Sequence, residues 1–207
     1  MRETDVRASL IISALVALFA GIAARASAAP DLALAWEPDR AAQQLLRAGG
    51  AYADVSAEPQ GVGLIRAAIE IGAPPQLVWR VMTDCRETPK LITSADPCRV
   101  LSADPAGGWD VREQVTHGNL IVPTIRNVYR SDYQPFSVIR FHRVAGDMKV
   151  EEGEWRFEAL QGGRATRVIY INRVLAPILA PSFLVRDGLR RDTPKVLMNL
   201  RHECVGR

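Results

Sequence analysis

The chain has 207 residues, 48 % of them hydrophobic and 24 % charged, and a formal charge of +3. These figures describe one folded domain with a sizeable core and exclude disordered and collagen-like classes. Three cysteines are too few for a disulfide scaffold and lack the close spacing to histidine of a structural zinc site. Basic and acidic residues are interspersed, so a pI near 9.0 does not describe a nucleic-acid-binding surface.

A charged head, Met1 to Arg7, precedes an almost wholly apolar run from Ala8 to Ala24, and Ala26-Ser27-Ala28 supplies a small-x-small cleavage pattern. Residues 1–28 therefore read as a signal peptide cut after Ala28, with export to the periplasm. The alternative is an N-terminal membrane anchor, for which the run is slightly short and lacks a basic stop-transfer cluster. Residues 29–60 read as an N-terminal extension with one helical candidate, Pro38 to Ala48, ended by Gly49-Gly50. In an oxidising compartment Cys85 and Cys98 read as a disulfide closing a short loop, worth roughly 3 kcal/mol; two buried thiols are the alternative. Cys204 reads as a small apolar residue on a helix face.

The domain itself spans residues 61–207. Gly61 to Ile71 predicts a strand, and Pro74-Pro75 opens a helix with Leu77, Val78, Val81 and Met82 on one face. Arg86 to Ile92 predicts a second, short helix. From Arg99 the period changes to two. Trp109, Val111, Val115 and His117 alternate with Asp110, Arg112, Gln114 and Thr116, with Glu113 interrupting the apolar set. His117-Gly118-Asn119 marks a turn, and strands are predicted over Leu120 to Ser131, Ser137 to Val144, Glu151 to Leu160 and Arg167 to Leu175. Consecutive strands joined by short turns predict an antiparallel meander with one wet face. Ser182 to Cys204 is the longest helix, with an apolar stripe of Val185, Leu189, Val196, Leu197, Leu200 and Cys204; Pro194 predicts a kink or break near Asp192-Thr193. The expected class is α+β: a curved antiparallel sheet of about seven strands around a long C-terminal helix, with an apolar cavity between them.

Several segments resemble a known family in order and spacing. They are Ile71-Gly72-Ala73-Pro74-Pro75 with Val78-Trp79 and Thr83-Asp84; Gly153-Glu154-Trp155-Arg156-Phe157; Ala165-Thr166-Arg167-Val168-Ile169-Tyr170 with Pro177 and Pro181; and Arg191-Asp192-Thr193-Pro194. Together they resemble the SRPBCC, or START-like, superfamily, on the branch of polyketide cyclase/dehydrase and coenzyme Q-binding proteins. The resemblance runs from Gly61 to Arg201. It implies a helix-grip fold with an apolar cavity, but no single reaction, because the fold hosts carriers and enzymes alike.

His117, His142 and His202 lie in different elements, and the sequence holds no metal, nucleotide or nucleophile motif; no metal, cofactor or nucleic-acid partner is expected. Glu113 and His117 share a strand face and are the acid/base candidates, Glu113 with a raised pKa if the cavity is dry. The candidate ligand contacts are Trp109, Val111, Glu113, Asn127, Tyr129, Phe141, Trp155, Phe157, Tyr170 and Asn172 on strands and Leu189 on the last helix. Val174 to Leu184 is apolar with two prolines. Through Ile178, Leu179 and Phe183 it reads as a lid or membrane-facing entrance, or as a loop packed on the core. The resulting expectation is an exported protein that binds a hydrophobic small molecule (a lipid, isoprenoid or quinone), with possible peripheral membrane contact. The alternatives are a cyclase/dehydratase-like enzyme acting on a polyketide or aromatic substrate, and a chaperone-like interaction module for a membrane complex.

Overall fold

Eight strands form a single antiparallel sheet in a computed structural model that describes residues 35–118, 123–177 and 182–206, apart from the side chains of Ser182 and Leu184. The expected signal peptide, the turn residue Asn119, and Ile178 and Leu179 of the expected lid lie outside the described residues. In chain order the elements are α1 (Arg40–Arg47), β1 (Ala51–Ala57), β2 (Gly63–Ile71), α2 (Pro75–Thr83), α3 (Thr88–Leu91), β3 (Arg99–Asp104), β4 (Trp109–Thr116), β5 (Ile125–Gln134), β6 (Val138–Gly146), β7 (Val150–Leu160), β8 (Ala165–Leu175) and α4 (Ser182–Val205). The sheet order is β1-β2-β8-β7-β6-β5-β4-β3.

The count exceeds the expected seven because the segment assigned to an N-terminal extension supplies β1, which pairs with β2 from Ala51↔Ile69 to Ala57↔Gly63. Helix α1 starts at Asp39, whose carboxylate accepts from the Ala42 amide at 2.8 Å. Its Leu46 packs with Leu64, Ala68, Ile169 and Ile171 on one face of β2 and β8, with Trp36 and Tyr52 alongside. The meander therefore lacks a wet face there, which is why β2 is buried at both even and odd positions. The main core lies on the opposite face, where Ile65, Ala67, Ile69, Ile71 and Val168 meet Val78 and Val81 of α2 and Leu197, Leu200 and Cys204 of α4.

Pro75 occupies the first turn of α2, where its missing N–H costs nothing. The Thr166 hydroxyl donates to the Ala73 carbonyl at 2.7 Å in full burial, so two of the family-like segments meet directly. Cys85 and Cys98 form a disulfide, with Cα atoms 4.6 Å apart, tying the entry to α3 to the entry to β3. Helix α4 runs on through Pro194 without the break that was one of the two expected outcomes. The Thr193 hydroxyl donates to the Leu189 carbonyl at 2.7 Å, and Arg190 and Arg201 anchor the helix to the Val55 and Gly49 carbonyls at 2.6 and 2.7 Å. Those anchors and the buried stripe hold the helix across the lost hydrogen bond. Among the described residues no helix is long and apolar enough to cross a membrane.

Gly153 has a physical requirement for its lack of a side chain. A Cβ there would lie 2.0 Å from the Ile171 carbonyl oxygen and 2.9 Å from Asn172 Cα, both backbone atoms of the neighbouring strand. Gly153→Ala is expected to force β7 and β8 apart and cost about 3 kcal/mol, read as a fall in the urea midpoint at unchanged m-value; an unchanged midpoint would remove this account.

Candidate functional site

Between the sheet and α4 lies a cavity of about 180 Å³. Alternation along the strands builds its floor: Phe141 of β6, Trp155 of β7 and Tyr170 of β8 all project to the same face, while Val196, Leu197 and Leu200 of α4, Leu91 at the end of α3 and Ile92 just after it close it from above. The Trp155 and Tyr170 rings stack with centroids 3.9 Å apart, and Phe141 stacks against Tyr170 at 6.3 Å. Gly153 stands between Phe141 of β6 and Asn172 of β8 in the register.

Two polar groups interrupt the apolar wall. The first is Arg112 of β4, only 8 % exposed, whose Nε donates to Asp110 at 2.8 Å and whose Nη2 lies 2.8 Å from the same carboxylate. Burial is the largest single influence and works against the guanidinium charge, but the hydrogen bonds to Asp110, its charge and the nearby Tyr133 and Tyr129 together outweigh it and hold the pKa above its ordinary value. Burial likewise pushes the neighbouring Tyr133 hydroxyl far up. The second group centres on Glu151 of β7, which accepts from Asn127 Nδ2. Desolvation pushes this carboxyl up to about 7. The Tyr129 hydroxyl, pushed up to about 12 by burial, lies 3.5 Å from Gln114 Oε1. Tyr170, raised by burial and by Glu151, accepts from Asn172 Nδ2 at 2.8 Å.

Of the sequence-predicted contacts, Asn127, Tyr129, Phe141, Trp155 and Tyr170 line this cavity. Asn172 reaches it through the Tyr170 hydroxyl, whereas Phe157 packs in the core edge-on to Trp79 at 5.6 Å, and Leu189 also packs against the core. The odd positions of β4 fall on the other side of the strand. Trp109 lies under the Arg130 guanidinium, 4.4 Å from its ring centroid, and borders an outer groove of about 320 Å³ with Trp79, Pro105 and Pro135. Val111 is half-buried outside the cavity. Glu113 sits between Arg99 at 2.6 Å and Arg126 at 2.5 Å. Desolvation pulls its pKa upward, but the two arginines outweigh that and hold it below the ordinary carboxylate value, the reverse of the expectation. His117 is exposed and meets Asp96 at 3.0 Å. Neither acid/base candidate borders the cavity. Phe183 is 59 % exposed at the start of α4.

The β4 phase inverted because its inward residues, Asp110, Arg112 and Gln114, are polar and the first two neutralise each other. Hydropathy alternation assigns such a pair to solvent. Glu151 was missed although it is in phase with Trp155, two inward positions earlier on the same strand. The cavity and the outer groove share Thr83, Arg112 and Tyr133 in their walls. Among the described residues no cluster of His, Cys, Asp or Glu is placed to hold a metal ion.

Residues 71–201 match the family described as polyketide cyclase / dehydrase and lipid transport. No curated protein matches the chain in sequence. Among solved structures, the human StarD13 lipid transfer and protein localization domain superposes with a TM-score of 0.61 at 14 % identity, covering 82 % of this chain and 98 % of that one. The STAR-related lipid transfer protein from Xanthomonas axonopodis gives 0.58 at 14 %, covering 73 % and 98 %. The Zhui aromatase/cyclase from Streptomyces sp. R1128 gives 0.55 at 15 %, covering 70 % and 92 %. These likenesses show the START-like helix-grip fold expected from the motifs.

Proposed function

This chain belongs to the polyketide cyclase / dehydrase and lipid transport family, and from that premise we propose that it is an exported carrier holding one hydrophobic small molecule, a lipid, isoprenoid or quinone, beneath α4. The observation that carries the reading is the cavity itself, walled by Phe141, Trp155 and Tyr170 and roofed by α4. Its volume exceeds the about 150 Å³ that suffices for benzene in an engineered apolar cavity. The Cys85–Cys98 disulfide supports export, since such bonds persist in oxidising compartments. Exposed Phe183 supports a membrane-facing entrance at the start of α4.

One observation favours a second reading. A carboxyl titrating near neutrality inside the cavity, beside two tyrosines, is suited to general acid/base work on a polyketide or aromatic substrate. Native mass spectrometry of the mature chain purified from its own host separates the two. The carrier is expected to carry a solvent-extractable apolar adduct at one per chain. A ligand-free mass, combined with turnover of an aromatic polyketide mimic that Glu151→Gln abolishes, would replace the carrier with the enzyme.

A further inference from the structure

We propose that the Glu151 end of the cavity is a head-group subsite for a ligand that presents a hydrogen-bond donor, a hydroxyl or an ammonium, on a flat apolar body. The inference rests on the carrier reading and names the chemistry of its cargo. Gln114, Asn127, Tyr129, Glu151 and Tyr170 converge on this end from four strands. Acceptors outnumber donors among them. Glu151 accepts from one amide, Asn127 Nδ2, and has no cationic partner among the described residues. Asn127, which lines the cavity and is 9 % exposed, has its Oδ1 buried with no donor. A half-buried carboxyl and an undonated amide oxygen together ask for a ligand that brings protons to hydrogen bonds.

The surrounding rings set the rest of the ligand. The stacked Trp155 and Tyr170, with Phe141 against Tyr170, present a flat aromatic wall, which packs a ring system and also attracts a cation. An anionic head group is disfavoured at both polar ends. Glu151 would repel it, and the Arg112 charge is already answered by Asp110 at 2.8 Å. A longer body would extend past Thr83, Arg112 and Tyr133, the residues shared with the outer groove.

The test uses 2-naphthol, 2-naphthylmethylammonium, 2-methoxynaphthalene and 2-naphthoate, titrated calorimetrically into the mature chain at pH 7.5. At least one of the two donors is expected to bind about tenfold or more tighter than the methyl ether and the carboxylate, and the tighter donor identifies the head group. Glu151→Leu is expected to erase that preference while leaving the ether bound. Should the leucine variant fail to fold, Glu151→Gln serves instead. It keeps an acceptor for the hydroxyl but loses the charge, so only the ammonium weakens. Equal binding of donors, ether and carboxylate overturns the subsite and leaves the carrier standing. Binding of none of the four overturns the carrier reading and the subsite with it.

Discussion

Asp110→Ala is expected to destabilise the protein by about 3–5 kcal/mol, although it removes only a few atoms, because it strands the Arg112 guanidinium. Asp110 and Arg112 are 6 % and 8 % exposed and face the same side of β4, and each oxygen of the carboxylate accepts from Arg112 Nε, at 3.0 and 2.8 Å. With the carboxylate gone, the remaining neighbours are the Cys98 sulfur at 3.8 Å and the face of Tyr133, with the ring centroid 5.8 Å away, neither of which answers a full charge. The double variant Asp110→Ala/Arg112→Met removes both charges and fills the volume, so most of the loss should return. Urea unfolding of the single and double variants reads the difference. A single variant that loses less than about 1 kcal/mol would mean that water from the outer groove solvates Arg112, and the pair would then count as a surface ion pair.

The same pair explains what was and was not legible in the sequence. The family-like segments are legible because each has a local physical reason. Gly153 is excluded from having a side chain by the backbone of β8, and Thr166 holds the Ala73 carbonyl. Phe141, Trp155 and Tyr170 were legible as cavity residues because Ile139, Phe157 and Val168, each two positions away, keep their strands in phase, whereas Tyr129 stands between Asn127 and Ser131. The phase of β4 was not legible. Its inward charges cancel only once Asp110 and Arg112 are seen to pair, and its outward Glu113 is satisfied by Arg99 and Arg126, fourteen and thirteen residues away. Strand β1 escaped notice for a different reason. AYADVSA has weak strand propensity, and it is ordered by pairing with β2 and by Val55 packing into the core beneath α4, both long-range contacts.

Glu151 ties stability to pH with a sign opposite to that of an ordinary surface carboxylate. Desolvation raises its pKa from 4.5 to about 7 in the folded protein, while the unfolded chain keeps the ordinary value. Above pH 7 the fold must bury a charge that the unfolded chain keeps in water. As pH falls through 7 the folded carboxyl takes up its proton first, so this contribution to stability grows as pH falls. It is complete below about 4.5, and is lost again as pH rises through 7. A shift of that size corresponds to about 2–3 kcal/mol once some screening by cavity water is allowed for. Glu151→Gln, neutral at every pH, is therefore expected to be more stable than the parent by about that amount at pH 8, with the two stabilities converging towards pH 5. Urea titrations of both proteins at these pH values isolate the effect, because His117, His142, His202 and the remaining carboxylates are common to both and cancel. Parallel curves would mean that Glu151 is solvated in the folded state. An acidic rescue confined to the parent would mean that the cavity stores an unanswered charge at neutral pH. The fold accepts that cost because the side chain is placed for a second donor, beyond the Asn127 amide that the protein itself supplies.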